Sequence, residues 1–238
     1  MSGTLYLIPV LLGGGDTRIL SPQATAIALN LSVFVVENVR SARRFLVHLG
    51  IKKTGKKIDE LTFLELNKHV SEQQNAKSYL KPALEGNDIG LLSDAGCPAI
   101  ADPGSDLVRE AHRLGIRVVA LSGPSSILLA LMASGLGGQH FAFNGYLPIK
   151  QDERVATIKH IEHKVLKDGQ TQIFIETPYR NQTLFADLLQ NCSPKTNLSL
   201  AINLTLPNER IYTCSIEEWR KKNVSDLHKQ MVVFVLGK

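Results

Sequence analysis

The sequence predicts an α/β protein of two domains, and three observations carry that reading. Short apolar, β-branched runs recur along the whole length, separated by stretches with the spacing of amphipathic helices. The 238 residues are 44% hydrophobic and 21% charged, which is enough apolar material for a sizeable core and too little net charge for a disordered chain. The connections also change character. Regular strand–helix alternation gives way after residue 197 to strands joined by short turns, as in a mixed sheet with antiparallel hairpins.

Taken in order, the first strand is Leu5–Val10, closed by the triple glycine Gly13-Gly14-Gly15, which reads as a surface turn. Ser21-Pro22 starts a helix, with a capping hydroxyl and a proline in the first turn. Ser32–Glu37 is the second strand. Ile89–Asp94 and Arg117–Leu121 are further buried strands, and between them Leu107, Val108, Ala111 and Leu114 share one helical face. The boundary falls near residue 122, giving domains 1–121 and 122–238. In the second, Phe141–Gly145, Gln172–Glu176, Leu198–Leu204, Arg210–Cys214 and Met231–Leu236 read as strands, and Leu184, Phe185, Leu188 and Leu189 as a helix face. No low-complexity linker separates the halves, so they are expected to pack closely and share a cleft, a common place for a small ligand. The separators are too uneven for a solenoid.

Composition excludes several function classes. No run approaches the roughly 20 apolar residues of a membrane span. Met1-Ser2-Gly3-Thr4-Leu5 lacks the basic region and apolar core of a signal peptide, so a cytoplasmic protein is expected. Cys97, Cys192 and Cys214 have neither disulfide nor zinc spacing and are expected to be free, buried or half-buried thiols. His48, His69, His112, His140, His160, His163 and His228 form no metal-ligand pattern, and no serine sits in a G-x-S-x-G elbow, so no metal site is expected. The net charge of +5 is a mild pointer to a polyanionic partner.

Chemistry concentrates at strand ends. Ser93-Asp94-Ala95-Gly96-Cys97-Pro98-Ala99-Ile100-Ala101-Asp102-Pro103-Gly104 follows a buried strand with two glycines of its own, two prolines and two acids. In α/β proteins ligands sit at the carboxyl ends of strands, where glycine lets backbone approach them. The plain alternative is a rigid connection in which Asp102 caps the helix over 104–114. Ser122-Gly123-Pro124-Ser125-Ser126 ends the next strand in the same way and opens an apolar helix. Neither loop has the lysine of a P-loop, so a nucleotide phosphate is not the expected ligand. Glu176-Thr177-Pro178-Tyr179-Arg180 closes an Ile-Phe-Ile run. A carboxylate there is costly to bury unless paired, and Arg180 is the available partner. Glu37-Asn38-Val39-Arg40 repeats the arrangement one domain earlier. The clusters Arg40/Arg43/Arg44, Lys52/Lys53/Lys56/Lys57 and Arg220/Lys221/Lys222 read as solvated faces that could hold RNA phosphates.

Together the runs S-D-A-G-C-P-A-I-A-D-P-G-S-D-L-V-R, G-I-R-V-V-A-L-S-G-P-S, F-x-F-N-G-Y-L-P and I-E-T-P-Y-R resemble the tetrapyrrole methylase superfamily, the class III S-adenosylmethionine-dependent methyltransferases. Between about 88 and 180 the motifs keep order and spacing, and the chain looks most like the branch that methylates a ribose 2′-hydroxyl of small-subunit ribosomal RNA. The resemblance implies a homodimer of two-domain chains with S-adenosylmethionine as methyl donor. It implies that Asp94, Ala95 and Gly96 with Asp102, Pro103 and Gly104 line the donor pocket, that Gly123, Pro124 and Ser125 face them, and that Pro9 completes one wall. Glu37 and Glu176 are then the candidate bases, with Arg40 and Arg180 orienting them or holding RNA phosphate. The branch usually has T-P-I-G-N-L, A-E-D-T-R and R-E-L-T-K-x-x-E, where this chain has Ile8–Gly13, Val36–Arg40 and Ile202–Glu209. Glu37, Arg40, Leu204, Thr205 and Glu209 survive, whereas the acid at 38 and the charges at 203 and 206 do not. Those departures leave open a tetrapyrrole or other small-molecule acceptor, and a relative that binds donor or RNA without catalysis.

Overall fold

In chain order the first of two units, Met1–Ser125, runs β1 (Thr4–Leu7), α1 (Pro22–Asn30), β2 (Val33–Val36), α2 (Val39–Leu49), β3 (Thr62–Glu65), α3 (Glu72–Tyr79), α4 (Lys81–Leu84), β4 (Ile89–Leu92), α5 (Ser105–Arg113) and β5 (Arg117–Ala120). This is a computed structural model that describes residues 2–66, 72–222 and 227–238, without the side chains of 72–75; His69 lies outside the described residues.

The sheet order is β3-β2-β4-β1-β5 and every pairing is parallel. All five carboxyl ends therefore lie along one edge. Side chains alternate across each strand, so neighbours go to opposite faces. Phe34, Val36 and Leu92 pack with Ala24 and Ala28 of α1 and Ala42 and Leu46 of α2. Val35, Ile89 and Leu91 pack with Leu80, Ala83, Leu107 and Ala111. A parallel sheet covered on both faces needs uninterrupted apolar strands, which is what Val33–Val36 and Ile89–Leu92 provide. Each of the larger buried side chains contributes about 1.5–3 kcal/mol.

Helix α1 starts where Ser21-Pro22 marks it, and α2 starts at a cap the sequence reading did not single out. Ser21 Oγ accepts a hydrogen bond from the Ala24 amide at 3.1 Å, and Asn38 Oδ1 caps α2 through the Ser41 amide at 3.1 Å. The turn after the triple glycine is held by Asp16, whose carboxylate takes the Arg18 amide at 2.8 Å. Sequence reading missed β3. Its four residues form an edge strand exposed at both ends and half-buried in the middle, so no buried apolar run announces it.

The second unit, Ser126–Lys238, contains α6 (Ser126–Ser134), β6 (Phe141–Tyr146), α7 (Gln151–Asp168), β7 (Thr171–Ile175), α8 (Asn181–Asn191), β8 (Asn197–Ile202), β9 (Arg210–Ser215), α9 (Ile216–Lys221) and β10 (Val232–Gly237). Its order is β6-β7-β10-β8-β9, with β6 and β7 parallel and the other pairs antiparallel. The expected mixed sheet and β8–β9 hairpin are present, and the last strand inserts between β7 and β8. Phe174 and Phe234 stack across that insertion at 5.6 Å within a core that also takes Ile158, Leu184, Leu188 and Trp219. Among the described residues no helix is long and apolar enough to cross a membrane.

The three cysteines are free, Cys97 half-buried and Cys192 and Cys214 buried. Burial, with the Glu162 carboxylate nearby, pushes the Cys192 thiol up to about 12. Burial raises the Cys97 thiol too, but Cys97 is only half-buried, so iodoacetamide at neutral pH should modify Cys97 in the native protein and Cys192 only after unfolding. Peptide mass spectrometry before and after urea reads this directly. Native labelling of Cys192 ahead of Cys97 would contradict the packing described.

Candidate functional site

Three loops meet at the carboxyl edge of the first sheet, those following β1, β4 and β5. The Ile8 amide bonds to Leu91 O at 3.0 Å, the Val10 amide to Gly96 O at 2.8 Å, and the Leu121 amide to Leu7 O at 3.1 Å. Val10 and Gly96 form an isolated antiparallel bridge, and Cys97 Sγ reaches Pro124 O at 3.5 Å. Pro9 is buried under this junction while Asp94, Ala95, Ser122 and Gly123 stay exposed. Sequence placed these residues on separate strands. Parallel pairing brings their ends together.

Gly123 is required by its neighbour. A Cβ added there would sit 2.2 Å from Pro9 Cγ and 2.4 Å from Pro9 Cβ, and a proline ring is rigid. Gly123→Ala should therefore push the two loops apart, cost about 1–3 kcal/mol as overpacking, and weaken binding of S-adenosylhomocysteine. Calorimetric titration and a melting curve measure both. Wild-type affinity in the alanine variant would detach the Pro9–Gly123 contact from the site.

The segment from Gly96 to Gly104 turns back on itself through backbone conformations that side chains disfavour. Gly96, Ala99, Ala101 and Gly104 have φ of 70°, 65°, 61° and 123°. Two alanines in the left-handed region are uncommon, and such strain concentrates at functional loops. No sequence signal marks Ala99 or Ala101, since alanine has no preference for that region. Gly104 is the N-cap of α5, at the end of this turn, and has no side chain of its own to bond the helix start. Gly104 also packs close, since a Cβ would meet Leu91 Cδ2 at 2.7 Å. Asp102 and Pro103 are partly buried and precede it.

Glu37 stands just past β2. Its amide bonds to Leu92 O at 3.2 Å, and its Oε2 accepts from the Asp94 amide at 3.3 Å, tying β2 to the loop after β4. Arg40 does not complete the pairing that the sequence suggested. It is exposed on the first turn of α2 and makes no ion pair among the described residues.

In the second unit Glu176 and Arg180 do pair. Glu176 follows β7 with its side chain 1% exposed, and Arg180, 31% exposed, places Nη2 2.6 Å from Oε1. The Thr177 amide at 2.5 Å and Arg180 Nε at 3.1 Å go to the same oxygen. Beyond β8, Asn203 and Thr205 take positive φ of 52° and 69°, and the Thr205 amide is held by Glu209 Oε2 at 2.6 Å. Sequence reading missed Asn181 and Gln230. Asn181 Nδ2 bonds to Gln230 O at 2.7 Å and Asn203 Nδ2 to Gln230 Oε1 at 2.6 Å, joining the ends of β7 and β8 to the residues before β10. Asn181 Oδ1 and Thr205 Oγ1 are buried without a partner among the described residues. Contacts between residues 27 and 49 positions apart carry no local pattern. No group of described residues could hold a metal ion.

The chain is 32% identical to ribosomal RNA small subunit methyltransferase I of Escherichia coli O157:H7, over 99% of its own length and 78% of the relative's. It is 30% identical to the protein of that name from Pasteurella multocida, over 100% of this chain and 80% of the other. Among solved structures, uroporphyrin-III C-methyltransferase from Thermus thermophilus complexed with S-adenyl homocysteine superposes with a TM-score of 0.58 at 19% identity, covering 99% of this chain and 98% of that one. The sequence pattern of the tetrapyrrole (corrin/porphyrin) methylases matches residues 4–219. The chain belongs to the tetrapyrrole (corrin/porphyrin) methylase family of S-adenosylmethionine-dependent methyltransferases.

Proposed function

We propose that this protein transfers a methyl group from S-adenosylmethionine to a ribose 2′-hydroxyl of small-subunit ribosomal RNA. The observation that carries the reading is the locked junction of the loops after β1, β4 and β5, which leaves Asp94, Ala95 and Gly123 exposed at the strand edge. Full-length similarity to proteins named as small-subunit ribosomal RNA methyltransferases supports the acceptor. The donor set fits. S-adenosylmethionine is cationic at sulfur and carries no phosphate, so an exposed carboxylate and loop backbone suit it and a P-loop lysine is not needed. When bound, it supplies an electrophilic methyl group.

The chain's own residues do the rest. Asp94, Ala95, Gly96, Gly123, Pro124 and Ser125 hold and orient the donor, with Pro9 fixing the spacing and Asp102, Pro103 and Gly104 shaping the far side of the loop. Alignment of nucleophile and methyl group, with water excluded, supplies much of the rate. A ribose hydroxyl is a weak nucleophile, and Glu37, half-exposed just past β2, is the carboxylate that takes its proton. Arg180, backed by the buried Glu176, presents a partly exposed guanidinium to an RNA phosphate. Arg40 has the same use.

We further propose a homodimer working in the cytoplasm. Met132 and Leu128 of α6 are 78% and 50% exposed, and Tyr146 and Ile149 are 57% and 73% exposed, apolar side chains that a second copy would cover. The free thiols suit a reducing compartment.

The test supplies labelled S-adenosylmethionine and small ribosomal subunits from cells lacking the ribose methylation. Label on one mapped ribose is the expected result. No label on RNA, with label passing to a tetrapyrrole, would overturn the acceptor; no transfer to either would leave a binding protein.

A further inference from the structure

Beyond Arg40 the exposed face of α2 carries basic side chains that the chemistry above does not use. Arg44 and His48 stand one turn apart, and Lys52 follows at the same interval in the 3-10 turn Ile51–Thr54, with Lys53 beside it. At 1.5 Å per residue, neighbours in this row on the helix are about 6 Å apart. The row begins at Arg40, three residues after Glu37, so it leads away from the carboxyl edge of the sheet.

Not every cation nearby is free. Arg43 is engaged by Asp59 and lies 5.9 Å over the Phe63 ring. Lys56 donates to the carbonyls of Asn30 and Leu31, tying the turn to the end of α1. Arg44, Lys52 and Lys53, by contrast, are exposed and have no ion pair among the described residues. Like charges at four-residue spacing on a helix repel and cost stability, which a bound polyanion would reverse.

Beside the row runs an open groove of about 360 Å³, lined by Arg43, Arg44, Val47, His48 and Ile58. Its apolar residues are Val47, 42% exposed, and Ile58. An apolar floor with cations along its rim is the arrangement that receives single-stranded nucleic acid, sugar and base against the floor and phosphates on the rim. A duplex would offer phosphates but no base for the floor.

We infer that the outer face of α2 and the turn after it form a docking surface for single-stranded RNA, holding the strand that continues from the nucleotide at Glu37. The inference rests on the acceptor proposed above.

The experiment uses the full chain, a short fluorescein-labelled single-stranded RNA and the variant Arg44→Glu/Lys52→Glu/Lys53→Glu, with S-adenosylhomocysteine binding as the check on folding. The variant should lose at least about tenfold in RNA affinity, and its slope of log K against log salt should fall by about 2, at roughly 0.7 per phosphate contact, with S-adenosylhomocysteine bound as in wild type. Equal affinity and slope in both proteins would overturn the surface, as would a wild type that binds RNA without salt dependence or not at all. Loss of binding to assembled subunits, with naked RNA bound normally, would assign the face to an acidic protein and also overturn it. The proposed reaction is read separately, by label transfer from the wild type. Transfer with an unaffected variant sinks the surface alone, and RNA binding lost in the variant without transfer by the wild type sinks the reaction alone.

Discussion

Arg154→Met should destabilise the second unit by about 3–5 kcal/mol. Arg154 and Asp187 form an ion pair whose side chains are 7% and 6% exposed, with Nε and Nη2 each 2.7 Å from Oδ2. Arg154 Nη1 also donates to Ile149 O at 2.5 Å and Pro148 O at 3.3 Å, so one guanidinium fixes the turn between β6 and α7 as well as the middle of α8. Methionine fills much of the volume but leaves the Asp187 carboxylate buried, with Gln151 Nε2 at 3.5 Å from its other oxygen the one remaining side-chain donor among the described residues. Removing both charges, as Arg154→Met/Asp187→Leu, should restore most of the loss, because the cost lies in the orphaned charge and not in the absence of the pair. Trp219, the single tryptophan, is 3% exposed in the same core and stands edge-on to Phe185 at 5.6 Å, so its fluorescence follows this unit in a urea titration. A midpoint unchanged in the single variant, or a double variant no better than the single, would refute the account.

This pair also marks what sequence can and cannot show. Val33–Val36 and Ile89–Leu92 were legible because a strand buried on both faces has to be a continuous apolar run. The strand ends were read one or two residues too far, at Glu37 and Asp94. There the backbone still makes strand-like bonds, Glu37 to Leu92 among them, while the ladder proper has stopped. The edge strand Thr62–Glu65 was invisible because it has no buried run to display. Arg154 and Asp187 lie 33 positions apart on two helices, each the ordinary polar residue of an amphipathic pattern, and only packing reveals them as partners.

The site divides the same way. Glycine and proline at strand ends drew attention to 94–104 and 122–125, and Glu176 with Arg180 was legible because a carboxylate closing a buried strand needs a counter-charge and Arg180 lies four residues on, just before α8. Pro9 against Gly123, and the left-handed Ala99, Ala101 and Thr205, had no local signal. The apparent repeat of the acid–arginine pair at Glu37 and Arg40 failed for a specific reason. Asn38 takes the N-cap of α2, which puts Arg40 on the exposed first turn, while Glu37 turns to the Asp94 amide instead.

That difference separates the two candidate bases. Glu37→Gln is expected to lower kcat by about 10²–10⁴-fold, the usual contribution of a positioned base, with little change in melting temperature or in affinity for S-adenosylhomocysteine. Glutamine keeps an oxygen for the Asp94 amide, so the tie between β2 and the loop after β4 survives, but it cannot accept the hydroxyl proton. Glu176→Gln acts on a different kind of carboxylate, one whose Oε1 already receives the Thr177 amide and two nitrogens of Arg180 and whose side chain is 1% exposed. Its neutralisation leaves Arg180 without its counter-charge, so the effect should appear first as a lower melting temperature and a weaker hold on RNA, read as a raised KM. Single-turnover methylation with saturating donor separates the chemical step from binding. Full single-turnover rate in Glu37→Gln would remove Glu37 as the base. A slow chemical step in Glu176→Gln at unchanged melting temperature would transfer the role to Glu176.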